Sequence, residues 1–247
     1  AGRVAARRRR LAHGEAERGP TDAPQIVRSM TEFSKYFGGF TTTGVLYQQL
    51  QTFFEEGGTR AYVVRVSDGT TAADVDISDG DEAVIVSPVG PGTWANAADH
   101  VDDGPLSVQV KAGRLANTVR VEVMYRGEVL YYSDELASNR AVAEAINANV
   151  GTYLTASYDD TIALLAPDAA YTFSGGTDGN VGIADADMVA GLGYFLPELG
   201  AGVVAIPEYF GTTIWDGIRA HCVTNNRIGY CAFEDGESID GAITALE

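Results

Sequence analysis

The chain has 247 residues, 45% of them apolar, which is enough for one large domain or two small ones with a substantial core. Asp and Glu outnumber Lys and Arg by 34 to 17, a formal charge of −17; residues 1–20 hold six Arg and two Glu, a net of +4, so residues 21–247 carry −21. A body this acidic repels nucleic acid and anionic lipid, no run approaches the roughly 18 apolar residues of a membrane span, and two cysteines cannot build a disulfide framework.

The Arg-rich start has no apolar run behind it, so it is not a signal peptide. Because the chain begins with Ala, it reads as a fragment, and residues 1–14 (AGRVAARRRRLAHG) are expected to have no fold of their own. Ser29 and Glu32 fit a capping box, predicting a helix over 30–37 that stops at Gly38-Gly39. Leu46, Leu50, Phe53 and Phe54 fall on one stripe, predicting a second helix over about 45–56. RAYVVRV (60–66) is dense in β-branched and aromatic residues and predicts a buried strand.

The acidic, Gly-rich stretch 67–82 reads as a linker, and from 83 to 173 short strands and turns follow. Residues 118–125 and 129–132 form a hairpin across Arg126-Gly127, LSVQV (106–110) alternates with period two, and TYLTASY (152–158) meets TIALLA (161–166) across Asp159-Asp160. One helix over about 139–148, with Ser138 as N-cap, interrupts this β-rich segment, which reads as a sandwich. After SGGTDG (174–179) the pattern becomes helix 185–196, strand 202–206, helix 213–225, strand 228–233 and a helix beginning near Ser238. That order implies a parallel sheet, and two strands alone cannot cover both of its faces, so RAYVVRV and its helices are the expected complement.

Catalytic and metal motifs are missing. No G-x-S-x-G, H-E-x-x-H or P-loop occurs, and GLGYFL (191–196) lacks the third Gly of a dinucleotide fingerprint. His221 and Cys222 are adjacent on a helix, about 100° apart, which makes a poor clamp for a metal. Cys222 and Cys231 are expected as small buried hydrophobes. An EF-hand register starting at Asp74 fails, with Asp79 where Gly is needed and Ile85 where Glu is needed. SGGTDG reads as a tight turn in preference to a cation site at Asp178.

Several phrases occur in a recognisable order: ERGP (17–20), TEFSKYFGG (31–39), FFEEGGTRAYVVRV (53–66), SPVGPGTWANAADH (87–100), SGGTDG (174–179), GVVAIPE (202–208) and RIGYCAFED (227–235). Together they resemble the tail sheath proteins of contractile bacteriophages and related contractile injection systems, over about residues 15–247. The resemblance implies an α/β fold: an incomplete α/β domain of subtilisin-like topology with an inserted antiparallel β-sandwich. The expected division is an unassigned leader (1–19), the first part of the α/β domain (20–66), an acidic linker (67–82), the sandwich (83–176) and the second part of the α/β domain (177–247). The family's C-terminal domain and both linking arms are then missing.

The implied function is structural. Copies polymerise around an inner tail tube and contract to drive it through a cell envelope, with baseplate and tail terminator as further partners. The implied location is the virion tail, assembled in the host cytoplasm. No enzyme activity and no cofactor are expected, and nucleic acid and membrane insertion are not expected as partners. Arg60, Arg65, Arg219 and Arg227 flank the inferred α/β core and are the candidate subunit-interface residues, each of which also reads as ordinary surface Arg. Two other classes stay open: a virion or cell-surface binding module using the sandwich, and an unrecognised enzyme.

Overall fold

The computed structural model describes residues 9–41, 44–78, 80–179 and 182–233. In chain order the main elements begin with β1 (Arg9–Gly14), β2 (Gln25–Val27), α1 (Met30–Phe37), α2 (Leu46–Glu55) and β3 (Arg60–Arg65). Then follow β4 (Val75–Asp76), β5 (Val84–Pro88), β6 (Ser107–Ala112), β7 (Val119–Tyr125), β8 (Glu128–Tyr132), α3 (Asn139–Val150), β9 (Leu154–Tyr158) and β10 (Ala170–Thr172). The last are α4 (Asp185–Gly191), β11 (Val203–Phe210), α5 (Thr212–Asn225) and β12 (Ile228–Ala232). They form two compact units, one of residues 1–68 with 180–247 and the other of 69–179. The helix expected near Ser238 lies outside the described residues.

The first unit is built on a five-stranded sheet in the order β12-β11-β1-β3-β2, parallel except for β2. Its central strand, β1, is drawn from the segment expected to have no fold. Arg10, Leu11 and Ala12 pair with Val203, Val204 and Ala205 of β11, and all six residues of β1 pair with β3. The correction has a physical reason. RRLAHG carries no β-branched residue, so local propensity is silent. The strand exists because two apolar strands flank it and its alternate side chains enter two cores. Leu11 joins Tyr62, Val64, Val204 and Ile206 under α4 and α5, while Ala12 joins Ala61 and Val63 under α1 and α2. RAYVVRV therefore does complete the sheet, but beside β1 and not beside β11.

His13 continues this alternation. It is 0% exposed, and its ring meets Phe195 edge-on at 6.4 Å. Burial lowers its pKa from 6.5 to about 3. Between those values the unfolded chain holds a proton that the folded chain does not, so stability rises with pH through the window and is lost as pH falls below 6.5. The expected loss is about 1.4 kcal/mol per pH unit at its steepest. Urea unfolding between about pH 7 and pH 5 measures the slope, which should flatten in His13→Gln.

Helix α1 begins where the sequence predicts. The Ser29 hydroxyl accepts the Glu32 N–H at 3.1 Å, and the Glu32 carboxylate accepts the Arg28 N–H at 2.7 Å, one residue further out than a reciprocal box requires. Gly38 then ends the helix at φ 86°. Ser29→Ala is expected to cost about 1 kcal/mol in thermal or urea unfolding. In α2, Leu46 and Leu50 are buried, and Phe53 and Phe54 pack half-buried against the same cluster.

The second unit has a four-stranded antiparallel sheet, β10-β6-β7-β8, and a three-stranded antiparallel sheet, β4-β5-β9. Side chains of both sheets and of α3 share one core, including Val84, Val86, Val108, Val121, Val142, Ile146 and Leu154. The predicted hairpin β7–β8 turns at Arg126 and Gly127, both at positive φ (51° and 71°). Ser138 caps α3 by accepting the Ala141 N–H at 3.1 Å.

Two expectations in this unit are overturned. Residues 161–166 are not a strand, and β9 pairs with β5. The buried amide of Asn139 takes up the competing backbone: its Nδ2 donates to the carbonyls of Asp159, Ile162 and Ala163, and its Oδ1 accepts the Leu165 N–H, each at 3.1 Å. Nor is 67–82 merely a linker, since it supplies β4 and Ile77, which is 0% exposed. Asp76 folds the acidic turn on itself by accepting the N–H groups of Ser78, Gly80 and Glu82 at 2.8–2.9 Å.

Two phrases of the sequence clasp each other in this unit. Asn96 exchanges two hydrogen bonds with the Gly176 backbone at 2.8 and 2.9 Å, and Asp178 accepts the Thr93 N–H at 2.6 Å. A Cβ at 176 would meet the Gly92 carbonyl oxygen at 2.2 Å, so only glycine fits. Trp94, between these anchors, is buried edge-on to Tyr125.

Candidate subunit interface

Among the described strands of the α/β unit, the edge strand β12 is the most exposed. Parallel pairing to β11 uses one side of its backbone, and among the described residues nothing pairs with the other. Four of its five residues are exposed and the fifth is half-buried, with Ile228 at 62% and Tyr230 at 65%. IGYCA contains neither the Lys nor the Pro with which edges are commonly blunted.

Helix α5 holds this edge in place. Ile214, Ile218 and Cys222, at i, i+4 and i+8, are its buried stripe. Trp215 donates its indole N–H to the Ala232 carbonyl at 2.9 Å and packs on Phe233 at 4.9 Å. Asn226 reverses the chain at φ 52° and leads directly into the strand.

Grooves open on both faces beside β12. One, of about 850 Å³, is lined by Arg10, Phe53 and Glu56 together with Tyr230. The other, of about 590 Å³, runs along α5 past Trp215, Arg219, Val223 and Cys231, with Val223 80% exposed. Arg10, whose pKa burial lowers, bonds to the Gln49 side chain at the edge of the first groove. An apolar strand edge with a groove on each face is suited to receiving a further strand or helix from another polypeptide segment.

The four arginines singled out from the sequence divide into two pairs. Arg65 is 1% exposed and donates to the Gly19 carbonyl at 3.3 Å. Arg227 is 7% exposed; its guanidinium donates to the carbonyls of Phe195, Leu196 and Gly200 and reaches His221 Nε2 at 2.7 Å. Both therefore bond within their own chain. Burial and the Arg227 charge push the pKa of His221 down, which keeps it an acceptor. Arg60 stays half-buried over the Tyr62 ring at 5.7 Å, and Arg219 is exposed beside Asp216 at 2.8 Å. Ile228 and Tyr230 escaped the sequence reading because an apolar run predicts burial; the one available signal was their place in the last strand of the pattern.

Cys222 is buried as expected, but Cys231 is exposed, because the edge strand turns it toward the open groove. Burial raises the pKa of both thiols, leaving them protonated and poorly nucleophilic at neutral pH. Among the described residues no three His, Cys, Asp or Glu side chains gather as a metal site, and no helix is long and apolar enough to cross a membrane.

No protein-family model and no curated protein sequence matches the chain. Solved structures do. The sheath tail protein Lin1278 from Listeria innocua aligns with 86% of this chain at a TM-score of 0.61 and 15% identity. The sheath tail protein DSY3957 from Desulfitobacterium hafniense aligns with 89% at 0.56 and 12%. In fold, then, the chain is similar to sheath tail proteins. It spans less than half of each of them, 43% of the first and 48% of the second.

Proposed function

We propose that this chain is a structural subunit of a contractile tail sheath in a phage or phage-like particle. The observation that carries the reading is the match of fold to two sheath tail proteins over almost all of this chain. On this reading the α/β unit has subtilisin-like topology without a protease triad, and residues 69–179 are its β-sandwich insertion. Copies stack around an inner tube through heterologous contacts, which propagate instead of closing. The extended polymer is a kinetic trap, released at the baseplate to a shorter and more stable packing. A difference of about 1–3 kcal/mol per subunit, multiplied along the tail, is sufficient to drive the tube with no nucleotide. The open β12 edge suits such work, since a strand added there joins chains through backbone bonds.

Of the candidate arginines, Arg60 and Arg219 are the two proposed to meet a neighbouring copy or the tube. The test is to express the complete gene product with its tube protein and view particles in negative stain. Rigid cylinders of regular repeat are expected; their absence overturns the reading. Arg219→Glu, which sets a second acid beside Asp216, is expected to shorten or abolish the cylinders while leaving the thermal transition within about 0.5 kcal/mol of wild type. Cylinders of normal length would remove Arg219 from the interface.

A further inference from the structure

Arg227 immediately precedes β12 and is 7% exposed. A guanidinium stays charged at any physiological pH and offers five N–H donors in one rigid plane. Here Nε donates to the Gly200 carbonyl at 3.0 Å, Nη2 to the Leu196 carbonyl at 2.6 Å and Nη1 to the Phe195 carbonyl at 2.5 Å. These carbonyls flank two short 3₁₀ turns, Leu192–Tyr194 and Pro197–Leu199, on the way into β11. The backbone of the same residue closes α5, since the Arg227 N–H donates to the Cys222 carbonyl at 3.0 Å. Arg227 thus pins three segments together where the edge strand begins. The far end of β12 is held separately, by the Trp215 indole on the Ala232 carbonyl.

No carboxylate among the described residues acts on this cation. Its remaining contact is His221 Nε2, 2.7 Å from Nη1. Arginine only donates, so Nε2 accepts with its lone pair and the proton of the neutral ring sits on Nδ1. A second proton can bind only at that same lone pair. It removes the acceptor and sets two cations in contact. The edge of the Phe195 ring, 6.5 Å away at 71°, confines the imidazole on one side. Burial and the Arg227 charge lower the pKa of His221, so the neutral ring prevails at neutral pH and the proton enters only below 6.5. The other groups on the surrounding elements do not offset the pair. Glu198, on the second turn, is exposed; Asp216 pairs with Arg219 in solvent; the Cys222 thiol is kept protonated by burial. Asn225 keeps its amide on the His221 carbonyl at 2.9 Å and carries no charge.

We propose that His221 and Arg227 form an acid-sensitive latch on the edge strand: a proton taken up at Nε2 drives the guanidinium off its carbonyls and frees the start of β12 from the turns before β11. The proposal rests on contacts within one chain and holds whether or not copies polymerise.

The test follows amide hydrogen exchange in the full chain by NMR at about pH 7.5 and about pH 5, expressed as protection factors, which remove the direct effect of pH on the exchange chemistry. Amides of β1 and β3 report opening of the whole α/β unit, including any caused by His13, and serve as the internal reference. Relative to them, β12 protection is expected to fall about tenfold at the lower pH, the worth of one hydrogen bond to a charged group reduced by screening at a half-buried site. His221→Gln supplies an acceptor oxygen that does not titrate; it should keep the protection at the higher pH and abolish the loss at the lower. Arg227→Gln should leave β12 poorly protected at both and raise the titration of the His221 ring toward 6.5. If Arg227→Gln fails to fold, wild type against His221→Gln decides. Wild-type β12 protection that tracks β1 and β3, or an equal loss in His221→Gln, overturns the proposal.

Discussion

Deleting residues 1–14 is expected to unfold the α/β unit while residues 69–179 keep their structure. The deletion removes the middle strand of the five-stranded sheet and leaves β3 and β11 each with an unpaired inner edge. It also withdraws Leu11 from one core and Ala12 from the other. Domains are stable by only about 5–15 kcal/mol, and the loss of a central strand exceeds that margin. The second unit has its own core, which includes Trp94, Leu106 and Phe173 and in which none of residues 10–14 appears. Amide spectra of the truncated chain should lose the dispersed signals of β3, β11 and β12 and keep those of β5 to β9. The milder Leu11→Ala is expected to cost about 2–5 kcal/mol in urea unfolding. A truncated chain that retains both sets of signals would show that β1 is dispensable.

The second large effect is expected at Asn139. Its side chain is 2% exposed and serves four backbone groups on the segment from Asp159 to Leu165. Asn139→Ala removes the donor to three part-buried carbonyls and the acceptor of the buried Leu165 N–H, and leaves a gap where a side chain 2% exposed had been, at a cost of about 2–4 kcal/mol. Asn139→Asp is no remedy: it could still accept the Leu165 N–H, but a carboxylate would face three carbonyl oxygens. Both variants should lower the urea midpoint of the 69–179 unit, and the segment 161–166 should become the first site of proteolysis. A loss under about 1 kcal/mol for Asn139→Ala would mean that the loop is held by other contacts.

These residues also mark the boundary of what the sequence disclosed. Features fixed by neighbours within one turn were legible: Ser29 and Ser138 as caps, the Leu46–Leu50 stripe, and the Arg126-Gly127 hairpin. Features fixed across long separations were not. A six-residue strand rich in Arg became central because of partners some fifty and two hundred residues away. TIALLA has strand propensity, yet one distant amide claimed its backbone. At the candidate interface, exposure was the hidden quantity. Arg65 and Arg227 look like surface charge in a sequence and are spent internally, whereas Ile228 and Tyr230 look like core and face solvent. Burial depends on what covers a strand, and periodicity does not encode that.

The two ends of the 69–179 unit are stapled to each other. Thr70 donates its N–H to the Thr177 hydroxyl at 2.8 Å and accepts the Thr177 N–H on its carbonyl at 2.9 Å. In the other unit, Asp68 and Gly182 are so close that a Cβ on the glycine would meet the Asp68 carboxylate oxygen at 1.9 Å. The chain thus departs from and rejoins the sheet through a narrow doorway, and whatever occupies the interval behaves as a cassette. A short link from Asp68 to Gly182 is expected to replace the interval without rethreading the scaffold.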